Sequence, residues 1–467
     1  MSNVDLARIQ FASTSIYHFF FVPITIGLAF LVAILQTMWH RSDNPDHRRL
    51  TRFFGTLLLI NVAIGVVTGL VQEFEFGMNW SAYSRFVGGV FGAPLAMEGL
   101  AAFFLESTFL GLWIFGWDRL PKRIHLACIW LVAFGTMLSA AFILAANSWM
   151  QHPVGYKLNS QGIPVLNNIG EVFTNPVFLW GYVHVLLASL VTGALIMLAV
   201  SAWHLRREHS VDAFSRTAKT SLVVLLPGII LAMFVGSELG VVEAKYQPMK
   251  IAAAEAQWTT CQPCSFSLFQ IGGGKEDETP TQILEIPHLL SLLATNSWNG
   301  QVLGLNEVNA QYQQEYGPGN YVPNVFIQYW SMRIMAYTAS LVFLLGLWGG
   351  WLLWRRKLER SRWFLLVATW FCLAPFLMNT AGWFLTENGR QPWIVQGLMK
   401  TSAGVSASVS VTWIWITLIL FILTYAIFAV VDGVLMVRYS RRALTDGEEE
   451  ASPEGESAED DVPALTY

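Results

Sequence analysis

Residues 16–39 read IYHFFFVPITIGLAFLVAILQTMW, a run of 24 positions without Asp, Glu, Lys or Arg. An α-helix needs about 20 apolar residues to cross the hydrocarbon core of a bilayer. Eight further segments have similar length and composition: 53–72, 93–117, 124–147, 177–203, 220–242, 328–354, 363–385 and 409–437. Period-2 alternation is absent, and unpaired backbone groups are excluded from lipid. The sequence therefore predicts an all-α integral membrane protein with nine transmembrane helices.

The overall composition leads to the same class of protein. Charged residues make up 13% of the 467 residues, about half of the roughly 25% found in soluble domains. The net charge is −4, and the sequence contains no cluster of basic residues along one helix face. We therefore expect no nucleic-acid partner.

The basic residues predict the orientation. The connections after spans 1, 3, 5 and 7, with the segment after span 9, hold 19 of the 28 Lys and Arg residues. The positive-inside rule makes that side cytoplasmic. The N-terminus is then outside and the C-terminus cytoplasmic. Spans 1 and 5 both begin outside and carry a histidine near that end, His18 and His184, which hints at two four-helix bundles plus one peripheral helix.

The chain divides into four parts. Residues 1–242 contain the first six helices, 243–327 form an outward loop, and 328–442 contain the last three helices. Residues 443–467 carry nine acidic groups and no Lys or Arg. Such a tail cannot bury enough apolar surface to fold, so we expect it to be disordered.

Ionisable residues within spans are costly and are functional candidates by default. They are His18, Glu98, Glu106, His184, Glu238 and Arg333, with Glu387 and Arg390 just beyond span 8. On the predicted topology most lie in the outer third of the membrane. A single histidine at a helix end can simply extend to the interface, but the joint placement favours a site.

Haem iron takes axial ligands that are commonly His or Met. His184 and Met335 lie at similar predicted depth and would together fill both axial positions. Met335 alone is equally well explained as core filler. His18 and Glu387 could each supply one ligand and leave the opposite face of the haem open, as O2 activation requires. Arg333 and Arg390 suit haem propionates, or lipid headgroups.

Glu98 and Glu106 share the third span. On a regular α-helix, eight residues correspond to about 12 Å of rise and roughly 80° of rotation. Both carboxylates could then line one polar path, and a carboxyl group kept neutral in lipid suits proton relay. The alternative is packing through hydrogen bonds to neighbouring helices.

Five segments resemble subunit I of the cytochrome bd oxidases: RIQFASTSIYHFFFVPITIG (8–27), APLAMEGLAAFFLESTFLGLW (93–113), NPVFLWGYVH (175–184), MRIM (332–335) and GWFLTENGRQPW (382–393). The similarity runs from about residue 8 to 440. The outward loop and the acidic tail match least.

This resemblance implies roles for individual residues. His184 and Met335 look like the axial ligands of haem b558, and His18 and Glu387 like the single protein ligands of haems d and b595, with His18 favoured for haem d. The residues that match positions around the haems are Arg333, Trp383 and Arg390, and Glu98 and Glu106 match proton-delivery carboxylates.

The segment QPMKIAAAEAQW (247–258) in the outward loop supplies Lys250 and Glu255. They match the quinol-interacting pair of the family, although their spacing is also that of a surface ion pair. Cys261 and Cys264 form a C-x-x-C motif that the resemblance does not explain. A disulfide, a redox motif and half of a zinc site are all open.

The resemblance implies a haem-carrying subunit of a quinol oxidase in the bacterial cytoplasmic membrane. Such an enzyme oxidises quinol at the outer face, reduces O2 to water and generates a proton-motive force by taking up cytoplasmic protons. The expected partners are a second homologous membrane subunit, a small single-helix subunit and membrane lipid. The alternatives are a haem-free secondary transporter and a structural membrane subunit.

Overall fold

The computed structural model describes residues 2–275 and 280–444. Within these ranges, nine helices are long and apolar enough to cross a membrane, which confirms the predicted number. Most of the helices extend beyond the predicted apolar runs, because their ends include polar turns that lie outside the hydrophobic segment. The third crossing instead ends at Phe115 and the ninth begins at Val411, each two residues inside the predicted run. The acidic tail, apart from its first two residues, falls outside the described residues.

The first four crossings follow one another with short connections. Their elements are α1 (Asn3–Ser42), α2 (Pro45–Met78), α3 (Ser81–Met97), a π-helical segment (Glu98–Phe103), α4 (Phe104–Phe115) and α5 (Lys122–Gln151). The third crossing thus consists of α3, the π-helical segment and α4. Asn44 caps α2 by accepting a hydrogen bond from the backbone N–H of Asp46, and Pro45 occupies its first turn, where a missing N–H costs nothing.

A small hairpin precedes the next two crossings. It pairs β1 (Tyr156–Leu158) antiparallel with β2 (Pro164–Leu166), and it is followed by α6 (Ile169–Phe173), α7 (Pro176–Arg206) and α8 (Val211–Tyr246). The helices α7 and α8 pack closely along their length, and α7 also packs on α1.

The loop between the sixth and seventh crossings is folded. Its elements are α9 (Pro248–Ala254), β3 (Phe266–Ile271), β4 (Thr281–Ile286), α10 (Leu289–Thr295) and α11 (Leu305–Tyr316). The strands β3 and β4 form an antiparallel pair in which Phe266 lies opposite Ile286. Met249, Ala252 and Ala253 of α9 pack against Leu305 and Val308 of α11, in an apolar cluster that the loop shares with α12 and β5.

The remaining chain contains the last three crossings. The elements are α12 (Val325–Trp354), a 3₁₀ turn (Leu358–Arg360), α13 (Arg362–Trp370), a second 3₁₀ turn (Phe371–Leu373), α14 (Ala374–Gly389), β5 (Trp393–Val395), β6 (Met399–Lys400), α15 (Thr401–Gly404) and α16 (Val411–Ser440). The helices α13 and α14 together form the eighth crossing.

The helix α1 is the centre of the packing, because it contacts α2, α5, α7, α14 and α16. In its most apolar window 61% of the residues are buried, against 17% for α16. The low buried fraction of α16 agrees with the expectation that the ninth helix is peripheral. The division of the other helices into two bundles and the orientation in the membrane stay predictions.

The helices α1 and α7 approach each other at two glycines. A Cβ atom on Gly27 would lie 2.2 Å from the carbonyl oxygen of Ser189 and 2.8 Å from the Cα of Gly193. Small residues allow this close backbone contact in a membrane, where van der Waals packing rather than the hydrophobic effect holds helices together.

Replacing Gly27 by Ala should therefore separate α1 from α7 and lower the free energy of unfolding by about 1–3 kcal/mol, the usual cost of overpacking. Thermal unfolding of the detergent-solubilised protein measures the effect. The matched control is Gly433→Ala on α16, where a Cβ meets nothing within 4 Å. Equal midpoints for the two variants would contradict the predicted close packing.

Candidate functional site

His184 lies on α7 with its ring directed at α8. Its Nδ1 is 3.1 Å from the carbonyl oxygen of Ala232. A carbonyl oxygen only accepts hydrogen bonds, so Nδ1 carries the proton and donates it. In the neutral ring, Nε2 then keeps its lone pair. One turn further along α8, a Cβ on Gly236 would lie 2.9 Å from Cε1 of the ring, so only glycine leaves the ring this position.

Met335 lies on α12 and is partly buried against the main core. A Cβ on Gly382 of α14 would lie 3.2 Å from its sulfur. The helices α7, α8, α12 and α14 pack on one another in a closed set. His184 is eight residues from the start of α7 and Met335 ten from the start of α12, or about 12 and 15 Å along the axes. Both side chains thus lie at similar depth in one helix group.

His18 on α1 is held by α2 in the same way as His184 on α7 is held by α8. Its Nδ1 is 3.0 Å from the hydroxyl oxygen of Thr68 on α2. That hydroxyl donates its hydrogen toward the carbonyls of Ile64 and Gly65, each 3.0 Å away, so it accepts from His18. Here too Nε2 is the nitrogen with a free lone pair. A Cβ on the adjacent Gly69 would lie 3.1 Å from the ring.

Glu387 lies at the end of α14 and has its two oxygens engaged. Asn147 of α5 donates to Oε1 at 2.9 Å, and Arg390 donates to Oε2. Arg390 also donates to the carbonyl of Ile394 at 2.9 Å. Its Nε and the ring N–H of Trp393 are buried without a partner in the described structure. Two buried donors therefore point to an acceptor that the protein itself does not provide.

Trp383 connects this end of α14 to His18. Its ring stacks edge to face on Phe19, the residue after His18, with 4.8 Å between the centroids. Glu387 is one helical turn beyond Trp383. The structure thus places Trp383 at the contact between α1 and α14, whereas His18 bonds to α2 and Glu387 to Asn147 of α5.

Glu98 and Glu106 both face α5. The hydroxyl of Ser139 donates to Glu98 at 2.7 Å, and a Cβ on Gly135, one turn away on α5, would lie 3.3 Å from Cβ of Glu106. The assumption of a regular α-helix between the two carboxylates is wrong, since Glu98–Phe103 is π-helical. A π-turn widens the helix locally and is frequent at functional sites.

Lys250 and Glu255 are both buried, and they do not pair with each other. The Lys250 ammonium donates to Glu243 at 2.8 Å and to Gln151 at 2.6 Å, while Glu255 accepts from Arg333 at 2.6 Å. The interpretation of Lys250 and Glu255 as a surface ion pair is therefore wrong. Burial raises the pKa of the Glu255 carboxyl, and the neighbouring Arg333 opposes that rise.

Arg333 anchors the loop on the membrane helices. It donates to Glu255 and to the carbonyls of Ala254 and Ser267, the latter at 2.9 Å, so it closes the loop segment between them at both ends. Its guanidinium also lies 3.9 Å from the ring centre of Tyr329. The Nη atoms of Arg333 are occupied by the loop, whereas its Nε has no partner in the described structure. The expected contact of Arg333 with a haem propionate stays a prediction.

Cys261 and Cys264 form a disulfide within the segment that Arg333 closes. Cys261 also makes two backbone hydrogen bonds with Val302, at 3.1 and 3.2 Å. Of the three possibilities left open by the sequence, the structure thus has the disulfide. Among the described residues, no group of three or more His, Cys, Asp or Glu could hold a metal ion directly.

Three residues with a place in this site were not found from the sequence. Thr68 and Asn147 are neutral, and a search for ionisable groups in spans passes over them. Glu75 is 1% exposed and accepts from Thr14 at 2.8 Å, but it lies beyond residue 72, the predicted end of the second span. Glu238, by contrast, only accepts from Asn296 at the loop surface.

Helices and site together define a polytopic membrane protein in which two partly buried histidines each bond Nδ1 to a neighbouring helix and have no hydrogen-bond partner at Nε2 within the described residues. Imidazole nitrogens held in this way, with Nδ1–H bonded to the protein, are the usual donors to metal centres.

The comparisons with known proteins identify the family. The family model for cytochrome bd terminal oxidase subunit I matches residues 6–444, and the chain belongs to that family. It is thus a multi-pass protein of the bacterial cytoplasmic membrane and part of a terminal oxidoreductase.

Two curated relatives and one solved structure are similar over almost the whole chain. Cytochrome bd ubiquinol oxidase subunit 1 of Bacillus subtilis is 44% identical, over 96% of this chain and 95% of its own. Cytochrome bd-II ubiquinol oxidase subunit 1 of Escherichia coli is 37% identical, over 94% and 96%. The bd oxidase structure from Geobacillus thermodenitrificans gives a TM-score of 0.85 at 30% identity and covers 94% of this chain and 98% of that one.

Replacing Arg333 by Gln should detach the loop, because it leaves the Glu255 carboxylate buried and unpaired, at a cost of about 3–5 kcal/mol. Limited proteolysis of the solubilised protein should cut between residues 255 and 267 faster than in the wild type. Arg48→Gln is the control, since its pair with Asp118 is solvent-exposed and worth at most about 1 kcal/mol. Unchanged proteolysis of the Arg333 variant would contradict the anchoring role.

Proposed function

We propose that this chain is the haem-carrying subunit of a quinol oxidase that oxidises quinol at the outer face and reduces O2 to water. The observation that carries the proposal is the state of the two histidines. Each ring donates Nδ1–H to the adjacent helix, to Ala232 for His184 and to Thr68 for His18, and so presents a basic Nε2. The printed names of both curated relatives are those of ubiquinol oxidase subunits.

The residues fit haem at two places. His184 and Met335 would together hold haem b558, and glycines 236 and 382 lie against them. His18 lies on α1 and Glu387 at the end of α14, two helices that meet at Phe19 and Trp383. They would be the single donors for haems d and b595, with His18 favoured for haem d. When bound, these haems supply electron transfer from quinol and the reduction of O2.

Glu387 and Arg390 form an ion pair at the end of α14. Glu387 would hold iron through its carboxylate, and Arg390 would hold a haem propionate, for which its planar donor set is suited. The buried, unpartnered Nε of Arg390 supports this role.

Glu98 and Glu106 would hold protons on their way to the O2-reducing site. Each carboxyl borders α5, one beside Ser139 and the other beside Gly135, so together they follow one helix face. The distribution of basic residues predicts that the end of the bundle away from the outward loop is cytoplasmic. Protons taken up from that side would cross most of the membrane, and the reaction would generate a proton-motive force without a separate pump.

Quinol oxidation is assigned to the outward loop. Oxidation of a quinol releases two electrons and two protons, and the protons need acceptors. The buried Glu255 carboxylate, held by Arg333, and the Lys250–Glu243 pair are the acid–base groups beside the helices that carry Met335 and Glu387. We further propose a complex with a second homologous membrane subunit and a small single-helix subunit.

His184→Ala and His18→Ala should remove different haems, because each variant loses the donor atom of one site. Reduced-minus-oxidised optical spectra and haem extraction of the purified complex measure this. His184→Ala should abolish the low-spin b-type bands, whereas His18→Ala should alter the bands of the O2-reducing haems. As a control, His209→Ala changes a histidine on the short α7–α8 connection. A wild-type complex without haem would disprove the proposal.

Glu106→Gln should lower the rate of O2 consumption about a hundredfold, the usual contribution of a positioned proton-transfer group. Since glutamine keeps the shape but cannot carry the proton, haem content should stay at the wild-type level. Oxygen-electrode rates with excess quinol, normalised to haem, give the measurement. Glu238→Gln is the matched control, with its carboxylate at the loop surface. Equal rates for the two variants would exclude Glu106 from proton delivery.

A further inference from the structure

A groove of 440 Å³ lies at the end of the bundle where most basic residues are gathered. Its walls come from α1, α2 and α8, and it is lined by Ile34, Met38, His47, Arg216, Lys219, Thr220, Val223 and Val224. None of these residues belongs to the site described above. The groove lies between the end of α1, the start of α2 and the first four turns of α8.

The lining changes from basic to apolar with depth. His47 is two residues from the start of α2, and Arg216 and Lys219 are five and eight from the start of α8, or about 3, 8 and 12 Å along the axes. Val223 and Val224 lie about 18–20 Å along α8. The cations therefore lie at the rim, and the valines lie at the level of the hydrocarbon.

His47 is buried and lacks one hydrogen-bond partner. Only 5% of its surface is exposed. The Ser42 hydroxyl, 2.8 Å from Nδ1, donates its own hydrogen to the carbonyl of Met38 at 2.7 Å, so Nδ1 donates to Ser42. The other ring nitrogen, Nε2, has no partner in the described structure. An anion in the groove would favour the doubly protonated ring, which donates from Nε2 as well.

Arg216 and Lys219 give the rim its positive charge. The guanidinium of Arg216 makes no ion pair within the described residues, and Lys219 has only a long contact of 3.4 Å with Glu359. The start of α2 adds the partial positive charge of a helix N-terminus. Charge complementarity thus calls for an anion at the rim, and the apolar walls call for a hydrocarbon chain below it.

We propose that this groove binds one anionic phospholipid, with its phosphate between His47, Arg216 and Lys219 and one acyl chain along Val223 and Val224. Basic pockets between membrane helices on the cytoplasmic side are a known form of anionic-lipid recognition. This site is independent of haem binding and of quinol oxidation. It would fix the connection between the first two helices to α8.

The test uses the complete purified complex, stripped of lipid in detergent and titrated with dioleoylphosphatidylglycerol. Native mass spectrometry counts retained lipid, and the shift of the thermal midpoint reports binding. Arg216→Gln should weaken binding about tenfold, as expected for the loss of one charge-assisted hydrogen bond. Arg123→Gln, an exposed arginine at the same end, should leave it unchanged.

A second variant separates a lipid from a free anion and keeps every charge. Val223 is 65% exposed, so Val223→Trp should fold and fill the acyl groove, again weakening binding about tenfold. Val434→Trp on the exposed face of α16 is the matched control. Competition by equimolar inorganic phosphate, equal binding of dioleoylphosphatidylcholine, or wild-type affinity in both groove variants would each overturn the proposal.

Discussion

Inside a bilayer, a peptide group or a charged side chain has no water to bind, and this constraint governs the whole molecule. It selects helices for the crossings, and it requires that every polar side chain kept within them has a partner or a function. In the described part of the chain, His18 and His184 each have a hydrogen-bond partner at only one of their two ring nitrogens. Each ring donates Nδ1–H to the neighbouring helix, and its second nitrogen, Nε2, has no hydrogen-bond partner within the described residues. A ring held this way has a fixed tautomer, because the acceptor on the neighbouring helix keeps the proton on Nδ1.

Two helix pairs, α7–α8 and α1–α2, hold a histidine ring in the same way. On α8 and on α2 an acceptor for the ring is followed closely by a glycine, Gly236 and Gly69, against which the ring lies. The acceptor sets the tautomer and the glycine sets the distance. Because α1 contacts five other membrane helices, a shift of either pair would be transmitted through the central helix. The two donor sites are therefore parts of one packing unit.

The outward loop is attached to this unit by ion pairs from which water is excluded. Arg333, two residues from Met335, holds both ends of the segment 255–267, and Lys250 joins Glu243 at the end of α8 to Gln151 at the end of α5. The positions of the acid–base groups in the loop are thus fixed by the membrane helices α5, α8 and α12. The same ion pairs serve stability and chemistry, because a buried charge is tolerated only with its partner.

The sequence by itself determined the nine crossings and the family, because hydropathy is a local property and the motifs around His18, Glu98, His184 and Glu387 are contiguous. It could not determine which charge pairs with which, since Glu255 and Arg333 are 78 positions apart, nor that Glu98–Phe103 forms a π-helix. Neutral partners such as Thr68 and Asn147 gave no signal in a search for charges. Only the tertiary structure decided these points, because a hydrogen bond depends on which helices become neighbours, and that is settled by packing along their entire length.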